Sequence, residues 1–481
     1  MKNDADSRYL RSSGRRVSVP FCTKVVIEGQ VSELICTQVL RVLQGKRLVC
    51  FGEWERRPLV IKFFFDPHRA NRHCHREEKG IRALLEGGVL APELLFKGTL
   101  LKGGTPVLGL EKIEPSRDLA AEWAAAVEDT RRGQLLIYAV ATIARQHIAG
   151  LKQEDPYRKN FLLAETSIYS IDGDGINTSH KGKPLSKRQS LKSLAHFLAQ
   201  FYPRYDHLFE VVFKRYQEER NWKRPLPLDV LTRYVGRQFN RRKKVRLKKI
   251  FRASTALTCR KKRFSLTLCD REYDSNTMTE FLSNPDRVMT GVRVLKAGKN
   301  STVALIEIDG RRLVAKEYHV NRVRQILSGV FKGSRARFSW RNAHLLKLLF
   351  LRTAKPVALK EARLGTKGYY VCEYLPGRDI SNLFLKDHPS REEKDEVISQ
   401  LGEMIQAFAN ARVSHGELSP ADFIWHRGKL FVVDLDRLRQ HRWQWRFRRA
   451  FKEDRRRLTD YWTNQPETAG LFEKMFSKVE W

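Results

Sequence analysis

The sequence predicts an α+β protein in which one architecture occurs twice in tandem, each copy opening with a β-rich lobe and closing with a helical one. Three observations carry this. The chain has 481 residues, too many for one ordinary core. Two segments pass through the same order of patterns, each starting from a lysine at the end of an apolar strand and finishing on a short strand that ends in Asp. Between them lies a helical, strongly basic stretch, with no acidic residue from Val230 to Cys269.

In the first copy the opening strand is Arg57-Pro58-Leu59-Val60-Ile61-Lys62-Phe63-Phe64-Phe65, in which Lys62 is the only charge after Arg57. A helix is predicted from Arg72 to Leu85, closed by Gly87-Gly88 as a C-cap should be. A loop follows from His147 through Gly150 and Asp155 to Asn160. It runs into strand-like Phe161-Leu162-Leu163 and then into Ile168-Tyr169-Ser170-Ile171-Asp172-Gly173-Asp174.

In the second copy the corresponding strand is Arg312-Leu313-Val314-Ala315-Lys316-Glu317-Tyr318, followed by a helical stretch around Ser339 to Leu351. The loop is His415-Gly416-Glu417-Leu418-Ser419-Pro420-Ala421-Asp422, and Leu430-Phe431-Val432-Val433-Asp434-Leu435-Asp436 ends the pattern. The expected organisation is a first domain over residues 1–255, a basic connecting segment over 256–284, and a second domain over 285–481.

These residue types at these intervals point to phosphoryl transfer, which needs positioning and charge neutralisation more than covalent help. A strand lysine contacts the α- and β-phosphates, and a helical glutamate holds it. A loop aspartate orients the attacking hydroxyl. An asparagine five residues on and a further aspartate hold Mg²⁺ against the phosphates of ATP. The first copy supplies Lys62, Glu77 (with Glu78 as the alternative), Asp155, Asn160 and Asp172. Singly, each has an ordinary reading: a snorkelling strand-end lysine, a surface glutamate, polar loop residues and an Asp-Gly turn. Order and spacing together select the protein-kinase-like reading.

The same residues resemble the lipopolysaccharide-core kinases, a family that includes the heptose and Kdo kinases. The matching pieces are His147…Gly150…Asp155…Asn160-Phe161-Leu162-Leu163, Ile171-Asp172-Gly173-Asp174 and Leu194-Ala195-His196-Phe197-Leu198-Ala199-Gln200-Phe201-Tyr202-Pro203. The resemblance, to a double-length member, covers nearly the whole chain. It implies two tandem protein-kinase-like domains, ATP with Mg²⁺, and a sugar hydroxyl of the lipopolysaccharide core, most of all heptose, as acceptor.

Three departures stand out. No G-x-G-x-x-G precedes Lys62; the region reads Leu43-Gln44-Gly45-Lys46-Arg47. Glu154 puts a second negative charge beside Asp155. In the second copy Glu417 and Asp422 replace the usual Asp and Asn, and no glutamate lies between Arg335 and Leu351 to pair with Lys316. Lys316 and Asp434 keep nucleotide- and metal-binding positions there, in a degenerate domain that either binds acceptor, supports the first copy, or retains residual activity.

Ninety-one Lys and Arg against 54 Asp and Glu give a formal charge of +37, which draws the chain to polyanions. No zinc-finger or RNP-like motif supports nucleic acid, so lipid A-core and the anionic inner-membrane surface are the expected partners. Seven scattered cysteines without C-x-x-C, no signal-peptide pattern and no apolar run of membrane-spanning length predict a cytoplasmic, peripheral protein. Between Arg437 and Arg457, Trp443, Phe447 and Phe451 recur at helical spacing among ten Lys or Arg. They are either core residues under a solvated basic face or rings for the membrane interface. A second basic stretch, Arg233 to Arg263, holds 14 Lys or Arg. A pseudokinase scaffold and a kinase with another acceptor are the competing functions.

Overall fold

The computed structural model describes residues 5–13, 17–263, 265–298, 301–319, 334–362, 367–387 and 389–481. The chain forms two compact units, Met1–Phe201 with Tyr205–Phe239, and Tyr202–Arg204 with Asn240–Trp481. The division falls inside one long helix, Leu228–Lys249, ahead of the boundary expected at residue 255.

The first unit opens with six antiparallel strands: β1 (Phe21–Ile27), β2 (Gln30–Leu43), β3 (Arg47–Trp54), β4 (Arg57–Phe64), β5 (Leu94–Leu100) and β6 (Pro106–Glu111). They close into a barrel in the order β1-β2-β3-β4-β6-β5, sealed where Val25 to Ile27 pair with Leu100 to Gly98. Alternation places Val25, Leu34, Cys50, Leu59, Ile61 and Phe63 in the barrel core. Lys62, between Ile61 and Phe63, therefore points out of the barrel. Helix α1 (Ala70–Glu86) lies on that outer side, burying Cys74, Glu77, Gly80, Ile81 and Leu84 on one helical face. The helical part includes α2 (Asp129–Ile148) and α3 (Phe209–Glu219), with the hairpin of Phe161–Ala164 and Ser167–Ser170 between them in sequence.

The second unit carries a seven-stranded sheet built from β7 (Leu257–Lys262), β8 (Ser265–Asp270), β9 (Arg293–Gly298), β10 (Ser301–Ile308), β11 (Arg311–His319), β12 (Pro356–Ala362) and β13 (Lys367–Glu373). Its order is β7-β8-β12-β13-β11-β10-β9. Residues 256–284, expected to connect two domains, thus supply two strands and the helix Asn276–Ser283 to this unit, whose Met278, Phe281 and Leu282 join its core. The reason is physical. Arg260, Lys261 and Lys262 lie on edge strand β7, where charge blocks further strand pairing, while apolar Leu268 and Cys269 on β8 are buried. Helices α4 (Arg335–Leu348), α5 (Arg391–Asn410) and α6 (Gln444–Asp460) follow.

Candidate functional site

Lys62 and Glu77 meet on the outer side of the barrel. Lys62 Nζ donates to Glu77 Oε1 at 2.5 Å and to the Ile171 carbonyl at 2.9 Å. Glu77 is fully buried and accepts from the Gly173 amide at 3.1 Å and the Asp174 amide at 3.3 Å. Burial alone would raise its carboxyl; the charges of Lys62 and Arg47, with hydrogen bonds from Lys62 and Gly173, outweigh burial and hold it below the usual carboxylate range. Glu78, one residue on, turns outward to Lys97 at 2.9 Å and Arg82 at 3.3 Å. The contact of α1 with the Asp172 loop is backbone against backbone. A Cβ on Gly80 would fall 2.0 Å from the Gly173 carbonyl, and one on Gly173 would fall 2.2 Å from the Glu77 carbonyl.

Asn160 joins the two loops. Its Nδ2 donates to Asp172 Oδ2 at 3.0 Å and to the Asp155 carbonyl at 2.9 Å, and its own carbonyl accepts from the Ile171 amide at 3.1 Å. Asp155 is exposed. The neighbouring Glu154 carboxylate is drawn away to Lys152 at 2.9 Å and Asn177 at 3.0 Å. Those partners overcome its partial burial and hold it below the usual range, so its charge is already matched. Asp172 is pushed up to about 6 by burial and by the Glu77 carboxylate, against the opposing charges of Lys62 and Arg47. Carboxylate crowding of this kind favours a cation. The donor set is a carboxylate and an amide, hard oxygen ligands once the amide is turned over, and that chemistry fits Mg²⁺. Among the described residues no group of three or more His, Cys, Asp or Glu could hold a metal. Two protein ligands completed by phosphate and water suit Mg²⁺ in particular.

Four further residues complete the site. Arg47, at the start of β3 beside the Gly45 turn, reaches Asp174 Oδ2 at 2.8 Å and Glu77 Oε2 at 3.5 Å, with its guanidinium 4.8 Å above the Phe64 ring. His73 Nδ1 lies 3.1 Å and Arg76 Nε 3.2 Å from the Asp174 carboxylate. The only sequence signal for Arg47 was its place next to the turn in front of Lys62. Nothing local marked Asp174 beyond its neighbour Asp172. His147 is fully buried behind the loop, with Nδ1 2.7 Å from Tyr216 Oη and Nε2 2.9 Å from Ser193 Oγ.

The second unit arranges its counterparts differently. Lys316 pairs with Asp434 itself, and Arg335 of α4 pairs with Asp436. Helix α4 carries no carboxylate for Lys316, in line with its sequence. Burial would raise Asp434; the Lys316 charge and hydrogen bond overcome it and lower the group to about 2. Asp422 accepts from the Ser419 amide at 2.8 Å and from Ser419 Oγ at 3.0 Å, while Glu417 pairs with Arg437. Buried Asp454 of α6 takes the His415 amide at 2.6 Å and the Gly416 amide at 2.9 Å, fixing the loop from below. Phe447 and Phe451 are core residues, whereas Trp443 and Trp445 are exposed.

The model of a family described as the lipopolysaccharide kinase (Kdo/WaaP) family matches residues 62–199 and 294–477, about two thirds of the chain. No curated protein matches. Among solved structures, the PknI kinase domain of Mycobacterium tuberculosis aligns at 14% identity and a TM-score of 0.29, covering 42% of this chain and 96% of that one. A point mutant of that same kinase domain aligns at 14% identity and a TM-score of 0.26, covering 35% of this chain and 73% of that one.

Proposed function

The chain belongs to the lipopolysaccharide kinase (Kdo/WaaP) family, and from that premise we propose that it transfers the γ-phosphoryl group of ATP to a sugar hydroxyl of the lipopolysaccharide inner core, heptose foremost, using its first unit. Membership makes the protein a kinase-type phosphotransferase of lipopolysaccharide biosynthesis. ATP, Mg²⁺, heptose and the assignment to the first of two kinase-like domains are the proposal.

One observation carries it: Lys62 is held between Glu77 and the Ile171 carbonyl, on the same loop whose Asp172 is bonded to Asn160. A lysine fixed from two sides is preorganised to meet the α- and β-phosphates without losing side-chain freedom at binding. Asp155, exposed on a loop pinned through Asn160, orients the acceptor hydroxyl and takes its proton. Asn160 and Asp172 hold Mg²⁺, which when bound neutralises phosphate charge. Glu154 does not interfere, because Lys152 and Asn177 engage it.

The second unit supports a non-catalytic role. Its lysine is engaged by the aspartate that would hold metal, and its loop carboxylate Glu417 is engaged by Arg437. Acceptor binding or support of the first unit is the role we assign it.

The test is transfer of labelled phosphate from ATP with Mg²⁺ to dephosphorylated core lipopolysaccharide. Wild type and Glu417→Gln should label the sugar and Asp155→Asn should not. Label lost with Glu417→Gln and kept with Asp155→Asn would move the chemistry to the second unit. Absence of label with all three proteins folded would favour a scaffold.

A further inference from the structure

The N-terminal end of α6 exposes two tryptophans in a setting that nothing in the phosphotransfer site uses. Trp443, the residue that caps the helix, is 51% exposed and Trp445 is 61% exposed, in a chain whose Trp340 and Trp462 are almost wholly buried. The inner face of the helix is committed: Phe447, Phe451 and Leu458 are buried, with Phe447 and Phe451 rings 5.0 Å apart and Phe451 5.4 Å from Trp481. The outer face carries Trp445, Arg448, Arg449 and Lys452, all exposed, at the i, i+3, i+4, i+7 spacing of a single stripe. Arg448 donates to the Trp481 main-chain oxygen at 3.4 Å. Among the described residues no Asp or Glu side chain lies within salt-bridge distance of Arg442, Arg446, Arg448, Arg449 or Lys452. No acidic residue occurs between Asp436 and Glu453.

We infer that this stripe, together with the exposed cap residue Trp443 at the same end of the helix, is a docking surface for the interfacial zone of an anionic bilayer. An indole costs apolar exposure in water but is favoured at headgroup depth, where its ring meets acyl chain and its N–H stays wet. The cations behind it, unmatched by any acidic side chain, suit lipid phosphates, and each adds attraction within a Debye length of the surface. The guanidinium of Arg442 lies 4.9 Å over Trp443 and that of Arg446 lies 5.0 Å over Trp445. Each ring thus already has a cation on one face, where a nucleic-acid base would have to compete to stack. Among the described residues no helix is long and apolar enough to cross a membrane, so attachment at this face is by insertion of side chains. The surface stands independently of the acceptor proposed above.

The experiment is co-sedimentation of the full chain with vesicles of equal parts phosphatidylglycerol and phosphatidylcholine, and with phosphatidylcholine alone, across a salt series. Wild type should bind the anionic vesicles, lose them as salt rises, and ignore the neutral ones. Trp443→Ser with Trp445→Ser, and separately Arg449→Gln with Lys452→Gln, should each bind about tenfold more weakly or worse, with circular dichroism and urea midpoint unchanged. Equal binding by neutral vesicles, no binding by wild type, or full binding by both variants would overturn the inference. So would tighter binding to duplex DNA that the same substitutions abolish. ATP is absent from these measurements. Failure of phosphate transfer to deacylated core sugar with vesicle binding intact would therefore count against the proposed acceptor and leave the surface standing.

Discussion

Arg47 and Asp174, 127 residues apart in sequence, meet at 2.8 Å and tie the turn ahead of β3 to the loop that carries Asp172. Because Arg47 also contacts Glu77, one guanidinium bridges the strand, helix and loop contributions to the site. Arg47→Gln should lower turnover about tenfold while the second unit stays intact, and Arg47→Lys should recover only part of it, since a point charge cannot reproduce a forked contact. Separate determination of kcat and KM decides this: a positioning role predicts loss in kcat, whereas a KM effect alone would make Arg47 a simple binding group.

Glu77→Gln leaves Lys62 and Arg47 facing a neutral, fully buried side chain. We expect a stability loss of about 3 kcal/mol and a turnover loss on the order of 100-fold. Glu78→Gln, whose partners lie at the surface, should change stability by less than about 1 kcal/mol and leave turnover alone. Urea unfolding and phosphate transfer on both variants check this; equal effects would mean that the helix face is misassigned.

Two helical glycines give opposite expectations. Gly80→Ala drives a methyl group into the Gly173 backbone and should cost about 1–3 kcal/mol, pushing α1 off the Asp172 loop and lowering activity. Gly133→Ala in α2 meets nothing closer than Leu208 Cδ2 at 4.0 Å. It should stabilise by about 0.5–1 kcal/mol through helix entropy alone. Thermal unfolding of the two variants side by side provides the comparison.

His147 predicts the acid limit of the first unit. Complete burial, with smaller contributions from Arg220 and Lys152, lowers its pKa to about 3, well under the ordinary histidine value of about 6.5. The folded state binds its proton less readily than the unfolded state, so stability is complete above about pH 6.5 and falls as pH drops toward about 3. The loss is on the order of 4 kcal/mol across that window. His147→Gln should be less stable at neutral pH and show a flatter decline on acidification. Urea midpoints from pH 4 to 7 would read both effects, and parallel slopes would refute the assignment.

Local pattern carried much of this protein. The run Leu59-Val60-Ile61-Lys62-Phe63-Phe64-Phe65 marked Lys62 as its only charge, and a strand's period of two sets that residue on the face opposite Ile61 and Phe63 whatever the strand packs against. The five-residue step from Asp155 to Asn160 and the Ile171-Asp172-Gly173-Asp174 run marked the loops, and the structure brings Asn160 and Asp172 within 3.0 Å. The missing glutamate in the helix that follows Lys316 was visible as composition. What tertiary structure decided was every choice between chemically equal neighbours. Glu77 and Glu78 are indistinguishable as residues; the rotation of α1 about the Gly80–Gly173 contact buries one against Lys62 and turns the other, half-buried, to Lys97 and Arg82. Phe447 and Phe451 turn inward while Trp443 and Trp445 do not, because only packing assigns the faces of an amphipathic helix. Residues 256–284 read as a basic connector yet complete a sheet, since strand pairing is set by register with distant partners such as Leu268 with Leu359. Closure of the six-stranded barrel and the reach of Arg47 to Asp174 are likewise contacts between remote segments. Their free energy comes from burial and charge pairing that exist only once the chain has folded, so no local pattern encodes them.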